Sequence, residues 1–117
     1  MQYQSNFTMP HTQIIIDYFC QIRGISKEEL ICKQGKDICY SRFILWYYLH
    51  YEKNVPTSTI AGIFNRHRRN VFYGMSKLKH QMKYHKEIYM LYQSLKKELE
   101  GMPEPTPLQQ NDMKEKD

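Results

Sequence analysis

Apolar residues recur along most of this chain at three-and-four spacing, the period of amphipathic helices rather than of strands. Residues 1–10 are polar and read as irregular, closed by Pro10. From His11 to about Arg23 the positions Ile14, Ile15, Tyr18, Phe19 and Ile22 form one stripe, and Gly24 ends it as glycine does at helix C-termini. Ser26-Lys27-Glu28-Glu29 has the spacing of a capping box, in which Ser26 and Glu29 satisfy each other's backbone donors. A short second helix is therefore predicted from about Lys27 to Cys32, with Leu30 and Ile31 turned inward.

Gly35 breaks the chain, and Asp37 is the predicted N-cap of a longer third helix running to about Tyr51. Ile38 and the run Phe43 to Leu49 make it apolar nearly all round, the pattern of a helix covered on several sides. Arg42 is its one cation; read from composition, it either snorkels to an exposed edge or serves function. After Asn54-Val55-Pro56, Thr57 or Ser58 is expected to cap a fourth helix, 57–64. Its inner face is Ile60, Ile63 and Phe64, with Ala61 and Gly62 small enough for close packing. The turn Asn65-Arg66-His67 then leads to a fifth helix, about Arg68 to Met82, with Val71, Phe72, Met75 and Leu78 as its buried stripe. Two helices joined by so short a turn, the second basic at its start, carry the helix-turn-helix signature over about 57–82. A sixth helix from about Lys86 to Glu100 repeats Ile88, Leu91, Tyr92, Leu95 and Leu99; it can close the core or pair with a second copy in a homodimer. Gly101 and the prolines 103, 105 and 107 forbid continuation, so 101–117 is expected to be a disordered tail. The prediction is a single all-α domain over 11–100, of about six helices.

Charge sharpens this picture. The 117 residues carry a net +5, unevenly placed. Between Lys36 and Lys86 ten cations face only Asp37 and Glu52. From Arg66 to Lys83 there are six cations (Arg66, Arg68, Arg69, Lys77, Lys79 and Lys83) and no carboxylate. A merely solvated helix usually mixes both signs, so a one-signed face asks for an anionic partner. Long cationic donors at a helix start can reach phosphates and base edges from the major groove.

Other chemistries find little support. Cys20, Cys32 and Cys39 are odd in number and contain no CxxC pair, which indicates neither a disulfide framework nor a zinc ribbon. His80 and His85 are off the spacing that stacks two metal ligands on one helical face, so no metal or other cofactor is expected. No carboxylate pair, Ser/Cys–His arrangement at motif spacing or phosphate loop suggests an enzyme. No apolar run approaches the ~20 residues of a membrane span. With reduced cysteines and no signal peptide, a cytoplasmic location is expected.

With these helices in place, residues 11–83 resemble the C-terminal DNA-binding domain of the bacterial replication initiator DnaA, in the Trp-repressor-like group. YFCQIRGISKEELICKQGKDICYSRFILWYYL follows that family's order of an amphipathic helix, a GIS-x-EEL helix, a basic link and an ARQ-containing helix. Arg42 stands at the arginine of ARQ, with Ser41 for the alanine and Phe43 for the glutamine. TIAGIFNRHRRNVFYGMSKLK then aligns without a gap, Ile60, Phe64, Arg66, Val71 and Lys77 occupying like positions. The resemblance implies double-stranded DNA binding with the fifth helix in the major groove. It also implies that Arg42 enters the neighbouring minor groove, and that Lys33, Lys36 and Lys53 are candidate phosphate contacts.

The departures matter as much. The family's DHST becomes His67-Arg68-Arg69-Asn70, which removes the aspartate acceptor for cytosine and the threonine methyl. Two arginines suited to guanine edges or phosphates, and an asparagine suited to adenine, replace them. The chain has no GxxxxGK[ST] loop, so it reads as a stand-alone binder, a regulator or accessory replication factor, without the initiator's ATPase module. The candidate DNA contacts are Arg42, Lys36, Lys53, Thr57, Arg66, His67, Arg68, Arg69, Asn70, Tyr73 and Lys77. The competing reading is an adaptor that uses the same fold for protein contacts through the sixth helix and tail.

Overall fold

The computed structural model describes residues 2–101, with side chains from 11 onward. Six helices account for most of them: α1 (Gln2–Arg23), α2 (Lys27–Cys32), α3 (Lys36–Tyr51), α4 (Thr57–Ile63), α5 (Arg68–Tyr84) and α6 (Lys86–Glu100). Among the described residues there is no strand, and no helix is long and apolar enough to cross a membrane. Of the expected disordered tail, 101–117, all but Gly101 lies outside the described residues.

Local signals set most of the boundaries. Gly24 adopts φ 69°, turning the chain out of α1. At α2 both bonds of the capping box form: Glu29 N donates to Ser26 Oγ at 3.0 Å and Ser26 N to Glu29 Oε1 at 3.0 Å. Asn54 and Asn65 take φ 59° and 53°, left-handed conformations that asparagine tolerates better than most residues, and they shape the turns on either side of α4.

Helix α3 is the hub. It packs against α1, α2, α4 and α5, burying Ile44, Leu45, Trp46, Tyr48 and Leu49. Helix α6 returns across α5 and α1 and closes the core with Tyr92, Leu95 and Leu99. Glu52, just past α3, holds that return: Lys96 Nζ lies 3.0 Å from its carboxylate, and the Tyr92 hydroxyl donates to it at 3.5 Å. Sealed against the core and beside this carboxylate, the Tyr92 phenol is pushed well above its ordinary pKa.

The structure corrects several expectations. Helix α1 begins at Gln2, not His11, and runs through Pro10; a proline inside a helix removes one i→i−4 bond, which a long helix can survive. Its buried face is Thr12, Ile15, Ile16, Phe19 and Cys20, and Ile14 is exposed. Three consecutive isoleucines satisfy either stripe, and contact with α3 and α6 selects the second. Helix α3 starts at Lys36 from Gly35, whose φ of 134° only glycine adopts easily, so Asp37 lies in the first turn instead of capping it. At α4 the N-cap is Pro56, and neither Thr57 nor Ser58 caps. Helix α5 continues to Tyr84, two residues beyond the expected Met82, until the extended His85 separates it from α6.

The close-packing glycine is Gly74 and not Gly62. A Cβ on Gly62 would meet open space. One on Gly74 would lie 2.5 Å from the Phe43 ring and 2.9 Å from Trp46. Here α5 presses directly on α3, and Gly74 takes the place in the buried stripe expected of Phe72, which is exposed. Alanine normally favours a helix over glycine by about 1 kcal/mol, whereas overpacking costs about 1–3 kcal/mol. Trp46 is fully enclosed and cannot yield, so Gly74→Ala is expected to lower stability by about 1 kcal/mol net. Urea unfolding checks the sign: a raised midpoint would show that the α3–α5 contact has slack.

Candidate nucleic-acid interface

Between α4 and α5 the chain turns through residues 64–67. Arg66 N donates back to Ala61 O at 2.8 Å, and His67 becomes the N-cap of α5 by accepting Arg69 N at its Nδ1, 3.0 Å. Because a backbone N–H donates to it, Nδ1 carries a lone pair; the neutral ring holds its proton on Nε2. Val71, Met75 and Leu78 anchor α5 to the core, which leaves Arg68, Arg69, Asn70, Tyr73, Lys77, Lys79 and Lys83 exposed on the rest of its surface.

Those cations are free of carboxylates. The ion pairs among the described residues are Lys27–Asp17, Lys33–Glu29 and Lys96–Glu52, none of them on α5. The helix's own aromatics are the cations' neighbours: Lys77 Nζ sits 5.8 Å from the Tyr73 ring centre, and Lys83 Nζ 5.7 Å from that of Tyr84. His80 and Tyr84 add a ring pair at 4.8 Å. Stacking an ammonium on an exposed ring is a weak attraction, so these side chains stay available to a stronger anionic partner.

Arg42 behaves differently. It is only 2% exposed. Its Nη1 donates to Leu30 O and Lys33 O at 2.6 and 3.2 Å, and its Nη2 to Cys39 Sγ at 3.4 Å. Arg66 joins it from the turn, Nη2 donating to Ile31 O at 2.7 Å. The last carbonyls of a helix have no partner within it and gather partial negative charge. Two guanidiniums from distant points of the chain meet that need at the end of α2. Burial, and after it the like charge of Arg66, draws the Arg42 guanidinium below its ordinary pKa, while Nε is left without a partner. The outward path of Arg42 toward a minor groove is thus replaced by an inward one, and so is the snorkelling alternative. The reason is the unmet carbonyls of α2.

The remaining candidates divide cleanly. Lys36 is exposed at the start of α3, and Lys53 is exposed just beyond its end, Nζ 6.0 Å from the Tyr48 ring centre. Lys33 is exposed and paired with Glu29 at 3.7 Å. Thr57, at the start of α4, is largely buried, because its side of the helix faces the core. Arg66 is half-buried and already engaged. His67, Arg68, Arg69, Asn70, Tyr73 and Lys77 remain together, exposed, on one turn and helix. Phe72, Lys79, His80, Lys83 and Tyr84, which are not among those candidates, are exposed on the same helix. The cations were visible in the charge run; Phe72 was hidden by its place beside Val71 in an apolar pair. Among the described residues no group of three His, Cys, Asp or Glu is placed to hold a metal. No protein-family model, curated protein or solved structure matches the chain.

Replacing Arg42 by methionine keeps most of the side chain's apolar stem but strips Leu30 O and Lys33 O of their donor. A buried carbonyl left unmet costs about 1–3 kcal/mol, and Leu30 O is buried while Lys33 O is only partly so, so a loss of about 2–4 kcal/mol is expected. Arg42→Lys, a single ammonium without the planar fork, is expected to recover less than half. Thermal melting of both variants decides it. Melting temperatures within about 2 °C of the parent would correspond to well under 1 kcal/mol for a domain of this size and would contradict the capping role.

Proposed function

We propose that this chain binds double-stranded DNA, with α4, the turn and α5 acting as a helix-turn-helix and α5 lying in the major groove. The observation that carries the reading is the exposed face of α5, where cations from Arg68 to Lys83 meet no carboxylate. The sequence likeness to the DNA-binding domain of DnaA supports the same placement, with Trp-repressor-like topology. Such a binder would act as a regulator or accessory replication factor of a bacterium, phage or mobile element. An adaptor working through protein contacts would favour mixed charge and a broad apolar patch on this helix, and α5 carries a one-signed face instead.

Dimensions assign roles along the helix. Seventeen residues give α5 a length of about 25 Å at 1.5 Å per residue. A major groove about 12 Å wide accommodates roughly the first two turns if the helix crosses it. Arg69 and Asn70 then face base edges, and Lys77, two turns on, faces the phosphate backbone. Lys36 and Lys53 supply further phosphate contacts if the duplex continues past either end of α3.

Selection of bound duplexes from a random pool tests the reading; one recovered motif establishes sequence-specific binding, and salt-sensitive binding with no motif would reduce it to a backbone binder. Arg69→Ala and Asn70→Ala are expected to change the recovered motif, each by roughly 1–3 kcal/mol of discrimination. Lys77→Ala is expected to weaken all sequences alike and reduce the salt slope by about one. The reverse pattern, Lys77→Ala altering the motif while Asn70→Ala leaves it intact, would place the helix wrongly in the groove.

A further inference from the structure

Of the phenylalanines whose side chains are described, Phe19 and Phe64 are buried and Phe43 is half-buried; Phe72 alone is exposed, at 49%. Its surroundings are unusual for an apolar ring in water. Helical spacing puts Arg68 and Arg69 one turn before it, Ser76 one turn after and Lys79 two turns after, all exposed. The ring is therefore rimmed by cations and a hydroxyl, with no carboxylate on the helix. An apolar side chain loses free energy in water and recovers it against another apolar group. A cationic rim, in turn, selects a partner that is anionic around that group. The major groove of DNA has this combination: phosphates on both sides, and among its base edges one apolar substituent, the C5-methyl of thymine.

We propose that Phe72 is a specificity-determining residue that reads the 5-methyl group of a pyrimidine, thymine and, by the same chemistry, 5-methylcytosine. The proposal rests on the major-groove reading above and deepens it: the ligand is duplex DNA with a methylated pyrimidine beside the bases faced by Arg69. Tyr73, next along the helix, suits this less well. Its ring lies 5.8 Å from the Lys77 ammonium and carries a hydroxyl, which suits it to phosphate. Packing one methyl group against the ring is worth roughly three- to five-fold in affinity.

The test uses the full chain and the duplex enriched from a thymidine-containing random pool, resynthesised with deoxyuridine at each thymine in turn. At one position, deoxyuridine is expected to weaken binding roughly three- to five-fold, the worth of one buried methyl, and 5-methylcytosine placed there opposite guanine to bind better than cytosine. Phe72→Ala should bind the thymine duplex with the affinity that the parent shows for the uracil duplex, and should not distinguish the two. Phe72→Leu keeps an apolar side chain and should keep part of the preference; this separates a lost methyl contact from a disturbed helix, as does an unchanged circular dichroism spectrum. If a motif is recovered but deoxyuridine is tolerated at every thymine, or the preference survives Phe72→Ala, the proposal is overturned and the DNA-binding reading stands. Salt-sensitive binding with no motif overturns the proposal and reduces the DNA-binding reading to a backbone binder; if no duplex is bound, both fall. Tighter binding to the separated single strand than to the duplex would also overturn both, since the ring would then be stacking on unpaired bases.

Discussion

The end of α2 is the point on which the arrangement depends. A six-residue helix is too short to be stable alone, and beyond Glu29 O, which Lys33 N caps, its last carbonyls need partners from elsewhere in the chain. Arg42 reaches them from α3 and Arg66 from the turn before α5. The bonds span 9 to 35 positions along the chain, so they tie together elements that neighbouring residues cannot fix. Both donors are charged, and hydrogen bonds of that kind are about twice as strong as neutral ones. The cost is two like charges near one another, one of them buried. That cost is tolerable because the partial negative charge of the helix end lies between them.

This junction also explains why the orientation of α5 is set so firmly. Its N-terminus follows the turn that holds Arg66 against Ile31 O, and His67 caps the first turn locally. Further along, Gly74 admits the helix to within contact of Phe43 and Trp46. Trp46 meets Phe64 edge-on at 5.6 Å, so the residue before the turn and the residue under the helix share one aromatic support. The exposed cations thus stand on a helix held at its start, along its buried side and, through α6, near its end. Holding a basic helix rigid lowers the entropy lost when it docks, which is what a groove-binding helix needs.

What the sequence revealed and what it hid follow from the range of each interaction. The capping box of Ser26 and Glu29, the turn at Asn65-Arg66-His67 and the α2 bounds are governed by residues within four positions, and they were legible. The central place of α3 was also legible, since an almost wholly apolar helix has nowhere else to go. Periodicity could not choose between Ile14 and Ile16, or between Phe72 and Gly74, because consecutive apolar residues fit two stripes and only the neighbouring helices decide. The cationic face of α5 could be read as composition. That none of its members pairs within the described residues is a tertiary fact. The packing of Arg42 was not legible, because an arginine in an apolar helix suggests either solvent or ligand; a third destination, the carbonyls of another helix, leaves no mark in local spacing.

The buried Arg42 changes what the likeness to DnaA can carry. That resemblance links two features, a basic reading helix and an arginine ahead of it, and implies that both touch the same duplex. In this structure they separate: the helix face is open, and the arginine is inside. Withdrawing the guanidinium from α2 would expose two carbonyls whose loss of partners costs about 1–3 kcal/mol each. A single minor-groove contact must exceed that before it favours the outward state, which a narrow A-tract groove comes closest to doing. On the proposed reading, recognition without such a groove would fall on α5 alone. On that reading Arg68, Arg69 and Asn70, which depart from the family pattern, together with the exposed Phe72, would decide which DNA is bound, and a site unlike the initiator's own would follow.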